Sequence, residues 1–190
     1  MEHLSLFRMP TPMKITGRSS SITNAFINSI IPVVYPTACE VQNALEILGM
    51  TPQTYQCAYC GGIASEWDHL RPLIKDKKPT GFISEIHNLV PFCGKCNQYK
   101  GNKNWKAWML SSAQLSPTVR GVSDIDERIK RLEIYEASKA PTKMNFEAIV
   151  GNEIWAQHQN NLKRVQALMR ESQVLAVKVN SEVAIAYKAL

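Results

Sequence analysis

Two Cys-x-x-Cys pairs, Cys57/Cys60 and Cys93/Cys96, stand 32 residues apart in this chain of 190. One tight knuckle supplies two thiolates, and tetrahedral zinc accepts four. Gly61, Gly62 and Gly94 lie beside the pairs, where tight knuckles need them. In a reducing compartment such pairs favour a metal over a disulfide. Four thiolates leave no open position for water, so this zinc is expected to be structural. It would tie together the two ends of the segment between the knuckles. The fifth cysteine, Cys39, is expected to be a small core residue.

A bare zinc ribbon often separates its knuckles by about 15–20 residues. Here the extra length carries SEWDHLRP, Ser65 to Pro72, and the second knuckle runs directly into Asn97. A structural knuckle requires neither. GFISEIHNLVPF alternates and carries β-branched residues, which predicts a strand around Ile83 to Leu89. A matching strand should hold Ala64 to Leu70. LIKDKKPTG between them is polar and turn-rich and reads as a loop. The result is a β-hairpin. Beyond Cys93, GKCNQYKGNKNWKAWML reads as one or two short helices.

Charge points at the same region. The chain carries a net charge of +6. Residues 57 to 106 hold eight Lys/Arg against four acids, so +4 of that excess sits there, while the first 56 residues balance to zero. A local positive excess is the footprint expected for phosphate contacts.

Hydrolysing a phosphodiester requires a deprotonated water, charge stabilisation in the transition state and help for the leaving oxygen. Asp68 offers a carboxylate and Asn97 an amide oxygen, which suit a hard divalent cation that keeps most of its waters. His69, with an ordinary pKa of about 6.5, can take the water's proton near neutrality. Neighbours on a strand face opposite ways, so Asp68 and His69 serve one site only if the strand end bends or a helix meets it.

In order, Cys-x-x-Cys, Asp-His-x-x-Pro, Asn-Leu-Val-Pro-x-Cys and Cys-Asn-x-x-Lys-Gly resemble the HNH, or ββα-metal, nucleases over Cys57 to Gly101. The resemblance implies a β-hairpin followed by a helix. Asp68 and Asn97 would bind a catalytic Mg²⁺ or Mn²⁺, and His69 would be the general base. Asn88 would orient the loop that holds His69, and Cys57, Cys60, Cys93 and Cys96 would hold structural zinc. The helix position often held by His in the family is Asn97 here, which leans towards the harder cations. The N-terminal GRSSSITNAFINSIIPVVYPT is also similar, more softly, to bacterial restriction-type HNH proteins.

The flanks read as helices. Ser20 or Ser21 caps a helix with Ile22, Phe26 and Ile30 on one face, and Pro32 stops it. Thr37 and Glu40 form a capping box ahead of the Val41, Leu45, Leu48 stripe, and Gly49 closes that helix. A helix with Ile125, Ile129 and Leu132 inward follows a linker over 111–122. From Asn152 to Leu190 there is no Gly or Pro, and Trp155, Leu162, Val165, Met169, Ala176, Val179, Val183, Ala186 and Leu190 mark a long amphipathic helix. Such a helix can pack on its own core or form a dimer seam.

The expected fold is therefore α+β and mostly helical. It comprises an N-terminal helical segment (1–54), a zinc-bound nuclease module (55–110) and a C-terminal helical region (111–190). The expected function is metal-dependent DNA endonuclease, of restriction type and acting as a homodimer on double-stranded DNA. The alternatives are a zinc-stabilised binding module without catalysis, or a nicking or modification-dependent nuclease. Arg18, Arg71, Lys100 and Lys103 are the expected phosphate contacts. Arg71 can equally form an ion pair with Glu66 or Asp76. Trp105 and Trp108 are expected in the core. No membrane span and no secretory signal are visible in the sequence, so a soluble, cytoplasmic protein is expected.

Overall fold

The computed structural model describes residues 7–189. Its helices are α1 (Ser19–Asn28), α2 (Ala38–Ile47), α3 (Gly94–Lys100), α4 (Trp105–Met109), α5 (Ile125–Ser138), α6 (Phe146–Val150) and α7 (Asn152–Lys188). Its strands are β1 (Glu66–His69), β2 (Ile74–Lys75), β3 (Lys78–Pro79) and β4 (Leu89–Phe92). The chain is α+β, with the strands in two small sheets. It divides into two compact units, Ile27–Phe146 and the remainder on either side.

In the unit over Ile27–Phe146, α2 starts where its capping chemistry says it should. Glu40 N–H donates to Thr37 Oγ1, and Thr37 N–H donates to the Glu40 carboxylate at 2.8 Å. Gly49 ends it at φ +70, and a Cβ there would lie 2.8 Å from the Arg131 guanidinium. Cys39 is exposed rather than in the core. It sits two residues before Val41, hence on the opposite side of the helix from the Val41, Leu45, Leu48 stripe.

β1 pairs antiparallel with β4, in the register Glu66↔Phe92, Trp67↔Pro91, Asp68↔Val90 and His69↔Leu89. The second strand therefore begins where the expected one ends. Ile86–Asn88 is a 3-10 turn, and the backbone of Ser84 is already committed elsewhere. Ser84 N–H donates to Pro32 O at 3.1 Å, and Val34 N–H donates to Ser84 O at 2.8 Å. Pro91 is tolerated because a two-stranded ladder consists of edges, where a missing donor costs little. The stretch read as a loop holds a second hairpin, β2 with β3, turning at Asp76 (φ 51) and Lys77 (φ 60).

The core gathers Leu45 and Leu48 of α2, Tyr59 of the first knuckle, Leu70, Val90 and Phe92 of the ladder, Trp105 and Trp108 of α4, and Ile129 and Leu132 of α5. Tyr59 meets Trp108 edge-on at 5.6 Å, a favoured aromatic geometry. Both tryptophans are buried, as expected. The knuckles thus stand directly on the hydrophobic core.

In the other unit α7 runs unbroken for 37 residues. Gln166 donates to Thr23 Oγ1 at 2.9 Å, and His158 packs on Phe26 at 5.4 Å. Leu162 is buried, whereas Val179, Val183 and Ala186 of the same seam are exposed. Among the described residues no helix is long and apolar enough to cross a membrane.

Candidate metal centre and strand-end site

The four cysteine sulfurs of Cys57, Cys60, Cys93 and Cys96 all lie within 4.8 Å of one another. Cys60 Sγ and Cys93 Sγ are 3.7 Å apart and none of the four is in a disulfide. Zn–S bonds of about 2.3 Å in a tetrahedron require sulfur edges of about 3.8 Å, so the cluster fits zinc. The first knuckle is closed by Gly61 N–H donating to Cys57 O at 2.9 Å and Cys57 N–H donating to Gly62 O at 2.7 Å. Gly61 has φ +72, and a Cβ there would collide with Arg128 Nη2. Arg128 uses its other nitrogen, Nη1, to donate to Cys57 O at 3.2 Å.

Arg120, from the segment after α4, donates through Nη2 to Cys96 Sγ at 3.1 Å. A cation against a thiolate-rich cluster offsets its negative charge and orients the ligand. Arg120→Ala is expected to fold and to bind zinc about 10- to 100-fold more weakly in competition with a chelator. Equal zinc affinity in the two proteins would reduce the arginine to a packing residue.

The opposite end of the β1–β4 ladder carries the polar residues. Asp68 turns towards α3, where the ammonium of Lys100 stands 2.9 Å from its Oδ2. Lys100 is 1% exposed and also donates to His69 O at 2.8 Å. His69 turns the other way, with Nε2 2.8 Å from Ser84 Oγ. Strand alternation is thus obeyed, and α3 meets the Asp68 side of the strand end. Burial pushes the His69 imidazole below its ordinary pKa. The Asp68 charge opposes that shift and the Lys100 charge adds to it. That shift favours the neutral form of the ring, and among the described residues its Nδ1 has no hydrogen-bond partner.

Asn88 is fully buried and clasps the chain just beyond His69. Its Oδ1 accepts from Arg71 N–H at 2.9 Å, and its Nδ2 donates to Arg71 O at 3.0 Å. Tyr135 of α5 steadies the same turn by donating to the carbonyls of Ile86 and Leu89. Asn97 is exposed on α3, three residues before Lys100 and so on the neighbouring part of that helix face.

The expected phosphate contacts are placed differently from one another. Arg71 reaches Glu136 through Nη2, at 3.2 Å, and lies over the Phe82 ring at 5.9 Å, while its Nη1 has no partner among the described residues. Its ion-pair partner is thus Glu136, rather than Glu66 or Asp76. Lys100 is buried as described, and Lys103, in the turn between α3 and α4, donates to Tyr99 O at 2.7 Å. Arg18 is exposed in the other unit. Sequence reasoning missed Ser84, Arg120 and Tyr135, because each acts through a contact more than 10 residues distant along the chain. Only a signal of spatial pairing would have found them.

Comparison with known proteins returns a partial likeness. Over 83 residues, 42% of the chain, it is 35% identical to the CRISPR-associated endonuclease Cas9 of Corynebacterium diphtheriae. The match spans only 7% of that protein's length. No family model matches the chain, and no solved structure matches it.

Proposed function

We propose that this chain is a metal-dependent endonuclease of the HNH type that hydrolyses phosphodiester bonds in double-stranded DNA. The observation that carries this reading is the end of β1. It brings a carboxylate to a helix and an imidazole to a hydroxyl, with the Asn88 amide gripping the adjoining backbone. A zinc anchor alone has no use for that arrangement. The stretch of 35% identity with a protein named an endonuclease supports the same class.

In this reading His69 Nδ1 takes the proton of the attacking water. Ser84 holds Nε2 and fixes the ring, while Asn88 and Tyr135 hold the turn behind it. Asp68 and Asn97 would hold Mg²⁺ or Mn²⁺. One carboxylate and one amide oxygen beside an exposed helix face fit a hard cation that keeps its waters. When bound, the cation supplies charge stabilisation at the scissile phosphate and the leaving oxygen. The four thiolates take no part in the chemistry and keep the strand and the helix in register.

We further propose restriction-type, sequence-specific cutting. One site cuts one strand, so symmetric cutting of a duplex requires a homodimer. A methyltransferase gene beside this one would support that refinement.

The Lys100–Asp68 ion pair favours a second reading, a zinc-stabilised binding module, because it accounts for Asp68 without any cation. Purified protein incubated with mixed-sequence duplex DNA, titrated with Mg²⁺ or Mn²⁺, decides between them. Cation-dependent cleavage is expected. Binding without cleavage at any cation concentration would leave the module.

A further inference from the structure

Of the eight Lys/Arg in residues 57 to 106, four have side-chain partners in the fold. Arg71 is on Glu136, Lys100 on Asp68, Lys106 on Glu133, and Lys103 on a backbone carbonyl. Among the described residues Lys75, Lys77, Lys78 and Lys95 have no side-chain partner, and three of these four share one hairpin. All three are exposed.

That hairpin is unfavourable by itself. Lys75 and Lys78 are direct cross-strand partners, and like charges placed opposite each other destabilise a ladder. Lys77 occupies the left-handed region at φ 60, where an ordinary side chain is strained. The stalk is nonetheless well made. Leu73 and Ile74 are buried, Thr80 N–H donates to Leu73 O at 2.9 Å, and Thr80 Oγ1 donates to Pro72 O at 2.8 Å. The two ends of the excursion meet at the candidate site, where Ser84 Oγ touches His69. A firmly held turn that collects unpaired positive charge is explained by a polyanion outside the molecule.

We propose that the β2–β3 hairpin is a backbone-phosphate grip for duplex DNA, with Lys75, Lys77 and Lys78 as its contacts. The inference rests on the DNA-nuclease reading for its ligand, though not on any catalytic step. Lys77 is eight residues from His69, so at about 3.6 Å per residue it reaches no more than roughly 29 Å. The backbone of the grip therefore falls within about eight base pairs of His69, and its lysine side chains extend that reach. It supplies register and affinity but reads no bases.

The test is binding of the whole 190-residue chain to a mixed-sequence DNA duplex by fluorescence anisotropy, with no added divalent cation, over a range of salt. Replacing all three lysines by glutamine should flatten the plot of log affinity against log salt by about 0.9 per lost contact, or about 2 to 3 in all. Replacing all three by arginine should preserve the slope. Zinc content and tryptophan fluorescence report folding in each protein. An unchanged slope in the glutamine protein overturns the grip, as does absence of salt-dependent binding by the unsubstituted chain. An effect seen with an acidic protein or duplex RNA, but not with duplex DNA, also overturns it. A chain that cuts DNA with an unchanged slope keeps the nuclease and loses the grip. A slope that falls in a chain that cuts nothing keeps the grip and loses the nuclease.

Discussion

His69→Ala will cut DNA about 10² to 10⁴ times more slowly than the unsubstituted protein while keeping its fold, its zinc and its affinity for duplex. The imidazole is held through Nε2 by Ser84 and contributes little to the hydrophobic core, so its loss removes a proton acceptor and little else. Added Mg²⁺ should not restore the rate. Asp68 should behave differently, but the choice of variant matters. Lys100 is buried against its carboxylate, so Asp68→Ala would leave a buried ammonium unpaired, at a cost of about 3–5 kcal/mol. Asp68→Asn keeps the shape and an oxygen. It should lose cleavage through weaker cation binding and recover part of it at high Mg²⁺. Asn97→Ala should resemble it more mildly, since a neutral amide is the weaker ligand. Single-turnover rates across an Mg²⁺ titration separate the proton acceptor from the cation ligands. Equal rates for His69→Ala and the unsubstituted protein would remove His69 from the mechanism.

Cys57→Ser or Cys96→Ser should abolish the folded state of the unit over Ile27–Phe146. Both thiols are buried within the core cluster that contains Tyr59, Trp105 and Trp108. Structural zinc contributes on the order of 10 kcal/mol in small sites. A domain's whole stability is about 5–15 kcal/mol, so losing the zinc removes most or all of it. The expected signs are loss of bound zinc, a red shift of tryptophan emission and loss of a cooperative thermal transition. Prolonged chelation of the unsubstituted protein should give the same signs. A serine variant that melts cooperatively without zinc would show that the core suffices alone.

The parts of the fold that sequence made legible were those fixed by local chemistry. Thr37 and Glu40 announced the start of α2, Gly49 its end, and the two Cys-x-x-Cys pairs the thiolate cluster. The second strand was misplaced by several residues because alternation around Ile83 to Leu89 resembles a strand wherever its partner lies. The partner of Ser84 turned out to be the backbone at Pro32 and Val34, and the proline within β4 disguised the true ladder. The β2–β3 hairpin was hidden because Asp76-Lys77 lacks the glycine that usually marks such a turn. At the candidate site, Asp68, His69, Asn88 and Asn97 could be named from their order. Their supports could not. Charge counting places a lysine at the surface, yet Lys100 threads its ammonium into the interior between Asp68 and the His69 carbonyl. That outcome depends on the distance between a strand and a helix, which no local pattern encodes.

The excursion between His69 and Ser84 is pinched shut twice, by the imidazole–hydroxyl contact and by Thr80 bonding back to Leu73. Whatever lies beyond the second pinch is mechanically insulated from the first. Doubling the length of such a loop costs only about 0.6 kcal/mol of closure entropy. Residues 75–78, all exposed, are thus an interchangeable tip on a fixed handle. Longer, shorter or differently charged versions can be grafted there, altering where and how tightly the protein grasps its polymer while the imidazole keeps its place.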